Sequence, residues 1–340
     1  MEENKMQLEI KFAVKSRAGQ HSQSIRKINQ DSYIAVTKFM GDQQGFLFGI
    51  FDGHGQNGSL VSSFVKKVIH KNISQQIINT YGQQVKWNSA NFQPSQLLVD
   101  SFINVHEDLK KTCTDIKFSG TTAVVIMIKN TQLWCANCGD SRAVMYSYQN
   151  GYKSKLNQQN NKPIITQLSE DHKPSLQREK IRIQQSGGQI LKSKNRNGQE
   201  IGIERVYKLN SETPGLAMTR SIGDLDGKEA GVIPDCEVQK FSINQNSQFI
   251  VIGSDGIWEF LSNQEVYDIV NPLYQQNINP KQVSEILVEN AVQSWKKHDY
   301  QNIDDITCII IYLNLKQTQK IQNTSFSIDS DESPRLQQFD

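Results

Sequence analysis

Apolar residues along this chain recur mostly at every second position, in short runs closed by polar turns, and a period of two predicts strands. Leu8-Glu9-Ile10-Lys11-Phe12-Ala13-Val14 alternates cleanly. Further strands are expected over 31–36, 45–51, 121–128, 132–136, 143–148, 164–168, 237–241, 248–252 and 306–313. Several come in adjacent pairs: the polar turn Gly41-Asp42-Gln43-Gln44 joins two of them and Lys129-Asn130-Thr131 joins two more, as hairpins do. Helical spacing of apolar residues lies between these runs. It predicts helices over 59–72, 95–111, 174–185 and 280–296, the third opened by Pro174 and stopped by Gly187-Gly188. Hairpin-linked strands with helices in separate blocks argue for an α+β layered sandwich of antiparallel sheets covered by helices.

Length alone would allow two domains in 340 residues, but one large two-sheet domain over 8–314 fits the pattern as well. Residues 1–7 read as a flexible N-terminus, and 315–340, short on apolar residues and rich in Ser and acids, as a disordered tail. Ser330 and Ser333 are candidate phosphorylation positions in that tail. Amides gather in stretches such as 157–161, read as polar insertions. The two irregular polar stretches 149–162 and 192–202 are the expected seats of specificity.

Charge narrows the partners. With 37 basic and 35 acidic residues the chain carries +2, which leaves no electrostatic footprint for nucleic acid or membrane. No apolar run approaches transmembrane length. Met1-Glu2-Glu3-Asn4-Lys5 reads as neither a signal peptide nor a myristoylation motif, so a cytoplasmic or nuclear monomer is the expectation. Five scattered cysteines make a secreted disulfide scaffold a poor fit. Cys135 and Cys138 have redox-motif spacing, yet a turn and a second strand follow them where a helix would be needed.

The candidate chemistry lies where strands end. Phe51-Asp52-Gly53-His54-Gly55 and Ser254-Asp255-Gly256-Ile257-Trp258 each place Asp-Gly after an apolar run, and Asp304-Asp305 opens a third. Asp-Gly alone is a common turn pair. Three such acids at strand ends can instead converge on one rim, where they repel unless a cation lies between them, and glycine lets a backbone carbonyl approach. That pattern reads as a hard-cation site for Mg²⁺ or Mn²⁺.

Nine segments in series make a family resemblance specific. Arg26-Lys27-Ile28-Asn29-Gln30-Asp31, Phe51 to Gly55, Ser119-Gly120-Thr121-Thr122-Ala123, Gly139-Asp140-Ser141-Arg142 and Asp171-His172-Lys173-Pro174 come first. Leu216 to Asp224, Pro234 to Glu237, Ser254 to Trp258 and Asp304-Asp305 follow. In this order and spacing, from about Leu8 to Leu313, the chain resembles the metal-dependent protein serine/threonine phosphatases of the protein phosphatase 2C type. The resemblance implies two central antiparallel β-sheets packed as a sandwich, with helices covering both outer faces. It implies hydrolysis of phosphoserine and phosphothreonine in proteins by a water activated between two Mg²⁺ or Mn²⁺ ions, without a covalent phosphoenzyme. Phosphoproteins are then the partners.

Carried over residue by residue, Asp52 would bridge both ions and Asp255 and Asp304 would complete the first. The Gly53 carbonyl would serve the second, with Gln30, standing where many members have glutamate, and Asp31 acting through water. Asp140 with Asp255 resembles the pair that takes a third, weaker ion. Arg26 would grip phosphate and His54 would act as general acid. Asp305, in place of the usual asparagine, is expected to support the site rather than to ligate. His172 is expected to cap the following helix and Asp224 its own turn, Arg205 is either a rim arginine or an ordinary one, and Trp258 and Trp295 read as core. The Gln30 departure also leaves room for an alternative: a catalytically weak relative that binds phosphoproteins.

Overall fold

Alternation along single strands explains how the layers stack. In the strand Gly45–His54, Leu47 and Phe51 join one hydrophobic cluster while Phe46, Phe48 and Ile50 join another. The strand Ala123–Lys129 splits the same way, Val125 and Met127 against Val124, Ile126 and Ile128. Strands covered on both faces need apolar residues on both, so these read as near-continuous hydrophobic runs. The computed structural model describes residues 6–21, 25–82, 92–113, 115–149, 163–194, 197–298 and 302–317. In it two antiparallel sheets lie face to face, with one buried cluster between them and one under each helical layer.

The first sheet runs in the order Ile222–Gly223, Gly120–Thr121, Gly45–His54, Ala123–Lys129, Gln132–Cys138, Glu237–Ser242, with Asp31–Thr37 also paired to Gly45–His54. The second runs Met6–Arg17, Ile306–Gln317, Ser247–Gly253, Arg142–Ser147, Ile164–Gln167. Helices α1 (Gly58–Tyr81) and α2 (Ser95–Thr112) cover the first sheet. Helix α3 (Gln177–Gln185) packs Ile183 against a separate small sheet of Gly188–Lys194, Glu200–Lys208 and Pro214–Leu216. Helices α4 (Asp255–Trp258), α5 (Asn263–Gln275) and α6 (Pro280–His298) cover the second sheet. The sandwich with helices on both outer faces is therefore the architecture of the chain.

The differences from expectation have local causes. Within stretch 192–202 the described residues include paired strand rather than irregular loop, Ser193 pairing with Ile201 and Lys194 with Glu200, with a register shift between Lys192 and Ser193; residues 195–196, and stretch 149–162 past Gln149, lie outside the described residues. Helix α3 starts at Gln177, because a turn over Lys173–Leu176 intervenes after Pro174. The outer strands extend past 8–314, since Met6 pairs with Gln317 and Gln7 with Lys316. Residues 318–340, with Ser330 and Ser333, lie outside the described residues. Helix α5 has no counterpart among the predicted helices, although its start carries a signal: Ser262 and Glu265 form a reciprocal capping box.

Candidate metal centre

The sandwich brings three distant strand ends to one rim. Asp31 stands opposite Asp52 in the first sheet. Gly253 pairs with Cys308 in the second, so Ser254-Asp255 and Asp304-Asp305 leave their strands side by side. Glycine makes the approach possible: a Cβ on Gly53 would collide with the Gly58 carbonyl, and one on Gly256 with that of Asp305.

The carboxyl groups meet there with little to neutralise them. Burial and the charges of Asp255, Asp31 and Asp304 hold the Asp52 carboxyl well above the usual range. Burial and the charges of Asp304 and Asp140 do the same to Asp255, and the Asp52 and Asp255 carboxyls lie close enough to perturb each other. Carboxyls brought this close repel one another unless a proton or a cation lies between them. Asp31 is pushed up to about 7, chiefly by burial, although its Oδ2 accepts the Ser254 hydroxyl at 3.0 Å. Asp140, buried in the turn after Gln132–Cys138, is raised by burial and feels the charges of Lys173, Asp171 and His54. Asp31 Oδ1, Asp140 Oδ1 and Asp255 Oδ1 are buried oxygens without a hydrogen-bond partner.

Among the described residues no three His, Cys, Asp or Glu side chains form a group that could hold an ion unaided. The donors nonetheless fit a hydrated hard cation: Mg²⁺ keeps several waters and is bound through one or two carboxylates rather than by an all-protein cage. Unpartnered buried carboxylate oxygens beside the Asp52–Asp255 pair supply that kind of donor set.

The surrounding residues fix the acids in place. Asp305 accepts Gly19 N at 2.6 Å and Gln30 N at 2.9 Å, so both its oxygens are spent on tying two loops to the rim. Gln30 Nε2 donates to the Gly55 carbonyl at 2.8 Å and holds the loop that carries His54. Thr122 Oγ1 accepts Asp52 N at 3.1 Å. Arg142 clamps Asp171 through two nitrogens, at 2.9 and 2.6 Å, and lies over the Trp258 ring. Trp295 Nε1 donates to the Gly256 carbonyl at 2.8 Å, so this tryptophan braces the Asp255 turn as well as packing.

Two residues depart from their expected roles. His172 does not cap α3; its Nδ1 accepts Gly139 N at 3.1 Å and so supports the turn bearing Asp140. Asp224 accepts the nearby Ser221 hydroxyl at 2.5 Å, but it also receives His54 Nε2 at 2.6 Å across 170 positions of chain. Burial alone would lower the His54 pKa; the charge of Asp224, its hydrogen bond and the charge of Asp140 raise it instead. Arg205 donates to the Gly215 carbonyl at 2.9 Å within the small sheet.

Arg26 sits in the short strand Ile25–Arg26, opposite Gln20; its side chain lies outside what is described. Its neighbour Lys27 is the residue that the sequence reading passed over. Lys27 Nζ reaches Asp304 Oδ1 at 2.5 Å, and the charges of Asp304, Asp305 and Asp52 outweigh burial to raise its pKa. The signal was its position next to the arginine, within the same segment Arg26 to Asp31. Cys135 and Cys138, three apart on one strand, face opposite cores, and burial raises both thiols. Neither suits redox chemistry.

Comparison with known proteins shows the family and the fold. A family model described as "Protein phosphatase 2C" matches residues 16–299. The chain is 31% identical over 314 residues to "Probable protein phosphatase 2C 64" of Oryza sativa subsp. japonica, covering 91% of this chain and 68% of that one. It is 30% identical over 326 residues to "Probable protein phosphatase 2C 35" of Arabidopsis thaliana, covering 92% and 85%. Its fold is similar to the crystal structure of a serine-threonine phosphatase 2C from Toxoplasma gondii, with a TM-score of 0.71, 21% identity and 89% and 94% of the two chains covered.

Proposed function

The chain belongs to the protein phosphatase 2C family, and on that premise we propose that its acid-lined rim hydrolyses phosphoserine and phosphothreonine in proteins with the help of Mg²⁺ or Mn²⁺. The observation that carries the reading is the convergence of strand ends on one rim, where Asp31 stands opposite Asp52 and Asp255 and Asp304 leave neighbouring strands, close enough for their charges to raise the Asp52 and Asp255 carboxyls. Mutually repelling carboxylates are poor adhesive for a fold and good ligands for a hard cation. Bound divalent ions supply a water acidic enough to attack phosphorus near neutral pH, and positive charge for the phosphoryl oxygens.

The chain's own residues do the rest. Asp52, Asp255 and Asp304 hold the positive charge at the rim, with the Gly53 carbonyl, Gln30 and Asp31 beside them and Asp140 set for a weaker third ion. Arg26 grips the phosphate of the substrate, which guanidinium does bidentately and lysine does not. His54 gives its proton to the departing seryl or threonyl oxygen, a contribution typically worth about 10²–10⁴-fold in rate. No side-chain nucleophile is needed, in keeping with buried Cys135, Cys138, Cys236 and Cys308, whose thiols are pushed up by burial.

The test is turnover of a phosphothreonine peptide by the purified chain with Mn²⁺, with Mg²⁺ and with chelator. Metal-dependent release of phosphate, without a phosphorylated protein intermediate in rapid-quench samples, is the expected result. Saturable phosphopeptide binding without release would replace the reading by that of a binder.

A further inference from the structure

His54 is held from one side only. Its Nε2 lies 2.6 Å from Asp224 Oδ2, while its Nδ1 is buried with no hydrogen-bond partner. Asp224 is itself almost completely buried, and it sits at φ +46°, a conformation that a non-glycine residue adopts at a cost. The neighbouring chain holds it there: Asp224 N donates to the Ser119 carbonyl at 2.9 Å, Gly223 N donates to His106 Nδ1 at 3.2 Å, and Ser221 Oγ donates to Asp224 Oδ2 at 2.5 Å. A Cβ on Gly120 would collide with the Asp224 carboxylate and lie 2.9 Å from His54 Nε2. Sequence-distant pieces are thus shaped around one contact between His54 and Asp224.

We propose that Asp224 is the positioning residue for His54: it keeps a proton on Nε2 and so makes Nδ1 the nitrogen that exchanges a proton with the substrate. The inference rests on the phosphatase reading above. In the step it describes, water forms the new P–O bond and the P–O bond to the substrate side chain breaks. The electron pair stays with the seryl or threonyl oxygen, which takes the proton from Nδ1. Nε2 keeps its proton toward Asp224, and the proton released by the attacking water restores the imidazolium. A fixed carboxylate partner selects ring orientation and tautomer together, because the nitrogen it faces must be the donor.

Leaving-group dependence separates positioning from mere support. A phosphothreonine peptide needs the proton, whereas p-nitrophenolate leaves without one. Asp224→Asn should lower kcat on the peptide by about 10²-fold, with KM within about twofold, yet lower kcat on p-nitrophenyl phosphate by less than about threefold. Ser221→Ala, which removes the second anchor, should show the same selectivity at about threefold on the peptide. Equal losses on both substrates, for either variant, would overturn the inference and leave the phosphatase reading standing. Absence of metal-dependent turnover in the wild type would overturn both. ¹⁵N spectra of the imidazole in the Mg²⁺-loaded wild type do not depend on any variant folding. They should show the neutral ring of His54 protonated at Nε2, and a proton on Nδ1 instead would refute the proposal.

Discussion

Two clusters of buried charge lie within the same fold and behave in opposite ways. Around α3, Glu179 accepts Arg220 at 2.7 Å, Arg182 at 2.8 Å and the Thr219 hydroxyl at 2.5 Å, while Glu237 accepts Arg220 at 2.8 Å and Arg178 at 2.7 Å. Burial works against the Glu179 anion, but its three donors hold its pKa far below the usual carboxylate range. At the rim, Asp31, Asp52 and Asp255 come together and are all pushed up, and Asp31 and Asp255 each keep an unpartnered buried oxygen. One cluster is electrically complete and works as a clamp. The other lacks positive charge in proportion to what it has brought together, and that deficit marks it as a place for chemistry.

The largest effect should come from removing charge at the rim. Asp255→Asn should reduce metal-dependent turnover by about 10³-fold, because several kcal/mol of transition-state stabilisation depend on the bound ions. The same change should leave the chelated protein as stable as before or more stable, since a repelling carboxylate has gone. A drop in the denaturant midpoint without metal would contradict the deficit. At α3 the outcome should be reversed. Arg220→Met strips Glu179 and Glu237 of a shared partner, and breaking a buried pair typically costs about 3–5 kcal/mol. Equilibrium unfolding in urea reads that loss directly.

Acid should tell the clusters apart as well. His172, whose Nε2 lies 3.5 Å from the carboxylate, and the two arginines hold the folded-state pKa of Glu237 at about 2, against 4.5 when free. A depressed pKa gives stability that is present above about 4.5 and is lost as pH falls toward 2. Asp31, raised from 3.8 to about 7, has the opposite sign: its favourable contribution is complete below 3.8 and disappears as pH rises through 7. Stability of the chelated protein should therefore peak near pH 4.5, where the Glu237 contribution is complete, and fall as pH rises toward 7, and saturating Mg²⁺ should lift the neutral side and not the acid side. An equal lift at pH 4 and pH 7, followed by thermal unfolding, would erase the distinction.

The difference between the clusters also decides what could be read from the chain alone. Asp52, Asp255 and Asp304 were legible because each adjoins an apolar run, and strand ends of one sandwich share a rim. Alternation likewise disclosed the two sheets, since residues such as Leu47 and Phe48 must face different layers. Contacts between side chains far apart in sequence left no such trace. Asp224 looked like a turn residue because its nearest polar neighbour, Ser221, is local, while His54 comes from another strand. The hairpin over 188–208 was hidden by its exposed apolar residues, Leu191, Ile201 and Ile203, which do not alternate against a core of their own. Helix α5 was hidden by Pro272 within it, although Ser262 and Glu265 announce its start.

Lys27 gives the rim a contact of the same kind as the clamp, and it offers the smallest and sharpest test. Its ammonium lies 2.5 Å from Asp304 Oδ1, on a carboxylate whose side chain is 39% exposed. Near a surface, two unit charges about 4 Å apart interact by roughly 4 kcal/mol before solvation is counted, and the net contribution of such pairs is commonly below about 1 kcal/mol. A divalent ion drawn to Asp304 must share that oxygen with the ammonium or displace it. Lys27→Met should therefore tighten Mn²⁺ binding, by about fivefold or less, which titration calorimetry resolves without any substrate present. Weaker Mn²⁺ binding would mean that Lys27 orders Asp304 for the ion rather than competing with it, and the rim would then contain a clamp of its own.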